Sequence, residues 1–202
     1  RHVSLLMLSE TEKQVFDYIE SHRDDMISYL RKMVSIDTQT PPGLNYDVIC
    51  DLMTNKFSEL GCETSTHIAT ENYMRLSGAK FLGLEGPRSN VVAIYKGKVG
   101  GASLHISAHT DCAAIQEEGW TVDPLGGKVT KDTQYTKSLW DRGGGYIWGR
   151  GVADDKGEIA AMTLALQAIH ELGVKLKGDL ILTGNCDEEI GGVAGLGYLM
   201  RE

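Results

Sequence analysis

Residues 151–189 read GVADDKGEIAAMTLALQAIHELGVKLKGDLILTGNCDEE, and the order of patterns within them decides the fold class. From Glu158 onward Ile159, Met162, Leu166, Ile169 and Leu172 return at helical spacing until Gly173 stops the helix. Residues 179–184 (DLILTG) are a short apolar run suited to a buried strand. Asp187, Glu188 and Glu189 stand directly beyond its end and before Gly191-Gly192. Helix, strand and acidic turn in succession are a unit of an α/β sheet, where ligands bind beyond the C-terminal ends of the strands.

Working outward, residues 103–109 (SLHISAH) and 90–95 (NVVAIY) read as two more strands parted by a turn around Gly100-Gly101. Further upstream, Ser9 followed by Glu12 is a capping box. Val15, Phe16, Ile19, Met26, Ile27, Leu30, Met33 and Val34 then predict one long first helix. Pro41-Pro42-Gly43 breaks it, and Val48, Ile49, Leu52, Met53, Phe57 and Leu60 predict a second helix that stops at Gly61. Residues 71–89 show no clear period. Residues 119–151 read as one long loop, a length that in compact domains usually serves function. The expectation is an α/β fold of three layers, α/β/α, with a mixed, mostly parallel sheet covered on both faces, in one domain over 1–202.

A formal net charge of −8 lacks the clustered Lys and Arg that phosphate binding needs, which argues against nucleic-acid and anionic-membrane partners. A small molecule or short peptide is the expected ligand. Cys50, Cys62, Cys112 and Cys186 form no close pair, so neither a cysteine zinc cage nor a disulfide framework is expected, and a cytoplasmic location fits. The apolar run over residues 3–8 is too short for a membrane span. Because the chain opens on Arg1 and Met7 nearly adjoins the first capping box, residues 1–6 are read as upstream or added sequence.

Three clusters carry candidate chemistry. In His109-Thr110-Asp111, at a strand end, residues two apart share a face, so Asp111 can hold one imidazole nitrogen while the other binds a metal. His105 shares that face but lies ~13 Å away along a strand, so it is read as structural. Residues 149–157 (GRGVADDKG) set Asp154 and Asp155 between glycines just before a helix. Acidic residues suit any helix start, but no Lys-Ser or Lys-Thr follows to make a phosphate loop, so a cation site is the better functional reading. Asp187-Glu188-Glu189 alone could be a solvated turn. Glu188 and Glu189 serve one site only if the backbone is irregular there, as the following glycines permit. Together the clusters offer His and carboxylate ligands that suit zinc, or else manganese or cobalt.

Residues 107–111 (SAHTD), 119–129 (GWTVDPLGGKV), 149–157 and 187–192 (DEEIGG), in that order, resemble the successive motifs of a zinc-dependent family. It is the amidohydrolase and metallopeptidase family of acetylornithine deacetylase, succinyl-diaminopimelate desuccinylase, aminoacylase and glutamate carboxypeptidase. The resemblance implies that His109 binds one zinc, Glu189 the other, and Asp154 bridges them. It further implies that Asp111 orients His109, and that Glu188 is the general base, strengthened by partial burial beside other carboxylates. It also implies a cis peptide between Asp154 and Asp155. The reaction expected is amide hydrolysis: deacylation of N-acyl amino acids ahead of a dipeptidase or carboxypeptidase activity, with a non-catalytic metal-binding or interaction protein as the rival. Trp120 and Pro124 are expected to shape their loop, and Cys112 and Cys186 to be buried and inert. Residues 131–146 look longer than their family counterpart.

The family's remaining zinc ligands, a further Asp and a distant His, have no counterpart among the 202 residues. Nor does its lid domain, through which the complete proteins dimerise. The expectation is therefore a truncated catalytic domain that binds zinc weakly and does not turn over substrate as given.

Overall fold

The computed structural model describes residues 8–98, 100–116, 118–131 and 145–201. The expectations for residues 1–6 and for most of 131–146 fall outside these. α1 (Glu10–Ser21) begins where Ser9 and Glu12 cap each other: Ser9 N donates to Glu12 Oε2 at 2.7 Å, and Glu12 N donates to Ser9 Oγ at 3.3 Å. α2 (Arg23–Val34) follows at once, so the single long helix expected is two. The cause is His22, which leaves the helical region (φ −112°, ψ 23°). Its ring stacks on Tyr18 at 3.8 Å with Nδ1 2.8 Å from the Tyr18 carbonyl oxygen, while Asp24 and Asp25 favour a new N-terminus through the helix dipole.

α3 (Tyr46–Glu59) buries Ile49, Met53 and Phe57, and the chain turns through Gly61 at φ 80°, the stop expected for it. β1 (Glu63–Ile68), α4 (Glu71–Leu76) and a 3-10 turn (Ala79–Leu82) come next, none of which the periodicity revealed. β2 (Ser89–Tyr95) and β3 (Leu104–His109) match expectation to within a residue. Inside the expected loop lies a small antiparallel pair, β4 (Lys128–Thr130) with β5 (Tyr146–Trp148). α5 (Lys156–Glu171), β6 (Leu180–Asn185), a 3-10 turn (Glu188–Ile190) and α6 (Leu196–Leu199) complete the described chain.

The main sheet has the order β1-β2-β6-β3. It is mixed, as expected of an α/β domain, but only β3 and β6 are parallel, because β2 runs antiparallel to both its neighbours. A parallel pair needs a covering crossover, and only the β3-to-β6 connection carries a long helix, α5. Val91, Ala93, Ala108, Leu180 and Leu182 face the core built with α2, α3 and α5. Full burial of side chains such as Ile159, Leu166 and Phe57 contributes about 1.5–3 kcal/mol each. On the opposite face Val92, Ile94 and Ile181 are half-buried and His105 and Ser107 exposed. Among the described residues, then, the long helices cover one face of the sheet, where helices on both were expected.

Candidate metal centre

Because β3 and β6 are parallel, with His109 level with Asn185, the segments leaving both strands emerge side by side. Thr110 N donates to the Asn185 carbonyl at 2.7 Å, and Ala113 N to Glu189 Oε1 at 2.9 Å. The third segment arrives ahead of α5. Gly151 takes φ 77°, and a side chain on Gly157 would place its Cβ 2.3 Å from the Val152 carbonyl oxygen, so the turn between them closes only around glycine. The Asp154–Asp155 peptide within it is cis, as the resemblance implied.

His109 lies where the three segments meet. Its ring is buried, with Nδ1 3.0 Å from the Asp111 carbonyl oxygen and 3.3 Å from Asp111 Oδ1. On its other side Nε2 is 2.8 Å from Asp154 Oδ1 and 3.7 Å from Glu188 Oε2. Its backbone N–H donates to Asp155 Oδ2 at 3.1 Å. Burial by itself would lower the pKa of the imidazole, but the carboxylates of Asp111 and Asp154 outweigh it and hold the pKa up at about 9. Both ring nitrogens face carboxylate or carbonyl oxygens, which favours the protonated ring in the metal-free site. The proton between Nε2 and Asp154 is the one a divalent cation would displace, and an imidazole and carboxylate on one point are a donor set suited to zinc.

Asp111 does more than orient the ring. Its fully buried carboxylate accepts the N–H of Glu188 at Oδ1 (3.1 Å) and of Glu189 at Oδ2 (3.0 Å), so one side chain ties the His109 segment to the acidic turn. The Glu188 side chain is 62% exposed, not partly buried as expected, because the turn lifts it off the sheet into solvent. Glu189 lies at the same end of the sheet, but its carboxylate is spent on Ala113 N. Thus His109, Asp111, Asp154 and Glu188 are brought together and Glu189 is adjacent. Among the described residues no three metal-ligating side chains already form a cage. A recess of about 240 Å³, lined by His109, Asp155, Asn185, Glu188 and Leu196, opens beside them.

Other expectations can be placed. Arg150 lies over the Trp120 ring at 5.6 Å and its N–H donates to the Pro124 carbonyl at 2.7 Å, so both loop residues serve its shape. Cys112 and Cys186 are buried and burial pushes their thiols up, as expected of inert cysteines. His105 Nε2 lies 3.0 Å from Thr183 Oγ1, a structural partner within the sheet. Two residues near the site had not been singled out. Lys156 is fully buried, its ammonium bonded to the Ile36 carbonyl at 2.9 Å and its pKa lowered by burial. Arg88 pairs with Asp187 at 3.2 Å, both about 2% exposed. A lysine in a glycine-rich turn and an arginine in an aperiodic stretch carry no sequence signal of burial.

Residues 105–202 match the model of peptidase family M20/M25/M40, so this part of the chain is similar to the metallopeptidases and amidohydrolases of that family. Its members are generally metal-dependent. Among curated relatives, the N-formyl-4-amino-5-aminomethyl-2-methylpyrimidine deformylase of Halalkalibacterium halodurans is 26% identical over 182 residues, 89% of this chain and 36% of the deformylase. The Cys-Gly metallodipeptidase of Schizosaccharomyces pombe is 26% identical over 205 residues, 93% of this chain and 36% of the dipeptidase. The crystal structure of human carnosine dipeptidase 1 matches with a TM-score of 0.69 and 22% identity over 96% of this chain and 38% of that one, a likeness of fold. The chain thus spans 36% of the length of both curated relatives.

Proposed function

We propose that this chain carries the metal-binding and proton-transferring residues of a zinc-dependent hydrolase that removes the acyl group from N-acyl amino acids. The observation that supports the reading most directly is the His109 imidazole. It is anchored by Asp111 on one nitrogen and directed by the other at Asp154, with Glu188 3.7 Å away, beyond the ends of two parallel strands. His109 and Asp154 would hold one zinc, and Asp154 with Glu189 the second once Glu189 turns from Ala113. The metal would supply Lewis acidity, activating water and polarising the amide carbonyl. Glu188, on the solvent side of His109, accepts the proton of the attacking water and returns it to the leaving amine. Asp111 fixes the imidazole and, through the two N–H groups it accepts, the height of Glu188 above it.

A dipeptidase reading of the same site is favoured by the dipeptidase relative that aligns with 93% of the chain. Calorimetric titration of this chain with Zn²⁺, alongside hydrolysis of N-acetyl amino acids and of Cys-Gly by a protein that carries it at the full length of its relatives, separates the possibilities. Zinc binding lost in His109→Ala, with chelator-sensitive acetate release lost in Glu188→Gln, is the expected result. Release of glycine from Cys-Gly without acetate release selects the dipeptidase. Hydrolysis that survives Glu188→Gln refutes the assigned base, and equal zinc affinity in His109→Ala refutes the metal site.

A further inference from the structure

The acidic turn is held from behind as well as from in front. Asp187, its first residue, is not glycine yet adopts the left-handed conformation (φ 61°, ψ 25°), which ordinary side chains rarely enter. Its Oδ1 accepts from Tyr46 Oη at 2.8 Å, Arg88 Nη1 at 3.2 Å and Thr40 Oγ1 at 3.3 Å. These donors come from three separate places: the loop after α2, the first residue of α3, and the approach to β2. Arg88 is fixed in turn by the carbonyls of Pro42 (3.1 Å), Gly43 (2.6 Å) and Glu85, and its guanidinium lies 4.8 Å over the Tyr46 ring. The Asp187 carbonyl accepts from Gly192 N at 2.7 Å and closes the turn.

This pair is poorly arranged for stability alone. Only one carboxylate oxygen is used, and Arg88 Nε and Asp187 Oδ2 are buried without hydrogen-bond partners. Desolvating two charges costs several kcal/mol per ion and is recovered only when the remaining groups are satisfied. What the arrangement does achieve is directional. With Asp187 fixed behind and Asp111 accepting the Glu188 and Glu189 N–H groups in front, the two glutamates can leave the strand in one direction only.

We propose that Arg88 is a positioning residue of the metal centre, acting with Tyr46 through Asp187 to set the Glu188-Glu189 turn against His109. The proposal rests on the metal reading above for its consequence, though not for its geometry. Among the described residues Arg88 and Tyr46 hydrogen-bond to Asp187 and not to the imidazole or the glutamates, so their effect is carried by the backbone.

The test uses Arg88→Met, Arg88→Lys and Tyr46→Phe in the 202-residue chain. In the metal-free protein, the amide resonances of Glu188 and Glu189 are compared with those of Thr64 and Thr66 in β1. In the metal-bound protein, Co²⁺ affinity and visible absorption report the ligand geometry. Arg88→Met and Tyr46→Phe are expected to shift the two glutamate amides, leave β1 unmoved, alter the cobalt spectrum, and weaken Co²⁺ roughly 10-fold or more, the usual effect of losing a group that supports metal ligands. Arg88→Lys should recover part of each change. If Arg88→Met fails to fold, Tyr46→Phe decides alone, since it removes one hydroxyl. Unmoved glutamate amides in the folded variants overturn the proposal, as does an unchanged cobalt spectrum and affinity. Absence of any cobalt spectrum in the unsubstituted chain sinks the metal reading instead, and the amide resonances then decide the clamp by themselves.

Discussion

Replacing Asp111 by Asn keeps the size of the side chain but removes its charge and one acceptor oxygen. Two backbone N–H groups, those of Glu188 and Glu189, now point at its two oxygens from 3.1 and 3.0 Å. A hydrogen bond to a charged acceptor contributes about 1.5–3 kcal/mol, and a buried donor left unsatisfied costs about 1–3 kcal/mol. Asparagine can satisfy one of the two donors and must turn its NH₂ towards the other, so one bond is lost, the second loses its charge, and two donors face each other. The expected destabilisation is about 2–4 kcal/mol, or a fall in Tm of roughly 5–15 °C for a domain of this size. Urea denaturation of the metal-free chain should show a lower midpoint at unchanged slope. Asp154→Asn is the contrast, because its carboxylate is 76% exposed and among the described residues is hydrogen-bonded to His109; it should change stability by about 1 kcal/mol or less. An Asp111→Asn chain within about 0.5 kcal/mol of its parent, the scatter of surface substitutions, would refute the claim that this carboxylate fastens the two segments.

Three further outcomes are expected. Gly157→Ala brings a Cβ to 2.3 Å from the Val152 carbonyl oxygen, a backbone atom that cannot rotate away, and should cost at least about 1–3 kcal/mol by thermal unfolding while reducing Co²⁺ uptake. Leu166→Ala empties a fully buried position on α5 and should cost about 2–5 kcal/mol without moving the His109 ring resonances. For pH, the His109 pKa of about 9 lies above the unfolded value of about 6.5, so its contribution in chelator is complete below pH ~6.5 and lost as pH rises through ~9. Denaturation midpoints at pH 6 and pH 10 should therefore differ more in the parent than in His109→Gln, and equal differences would contradict the raised value.

Elements with strong periodicity were legible in the sequence. α3, α5, β2, β3 and β6 follow from apolar spacing and glycine stops; two of the three site segments follow from where β3 and β6 end, and the third from where α5 begins. The elements missed lack such patterns. β1 reads ETSTHI, where Thr64, Thr66 and Ile68 alternate with Ser65 and His67 but too few residues are apolar to show a buried face. β4 and β5 have three residues each, too short for any period. The direction of β2 could not be read because strand polarity is set by connections that leave no composition signal. At the centre, His109, Asp154 and Glu188 were visible as residue types at strand and helix ends. The clamp of Arg88, Tyr46 and Asp187 was not, since it joins residues up to 141 positions apart and depends on burial rather than spacing.

The parallel pairing of β3 with β6 also governs when the centre can exist during folding. Asp111 and the turn it ties down are 77 residues apart, and the loop between them must close before Glu188 can come to His109. Neither the β3 side, which carries His109 and Asp111, nor the α5–β6 side, which carries Asp154 and Glu188, holds the whole centre, so a peptide of either half should bind metal more weakly than the folded chain. Formation of the site is thereby tied to the slowest class of event, the pairing of strands distant along the chain. A metal that binds only after that pairing stabilises the finished state more than the barrier to it, so it should slow unfolding and leave the folding rate nearly unchanged.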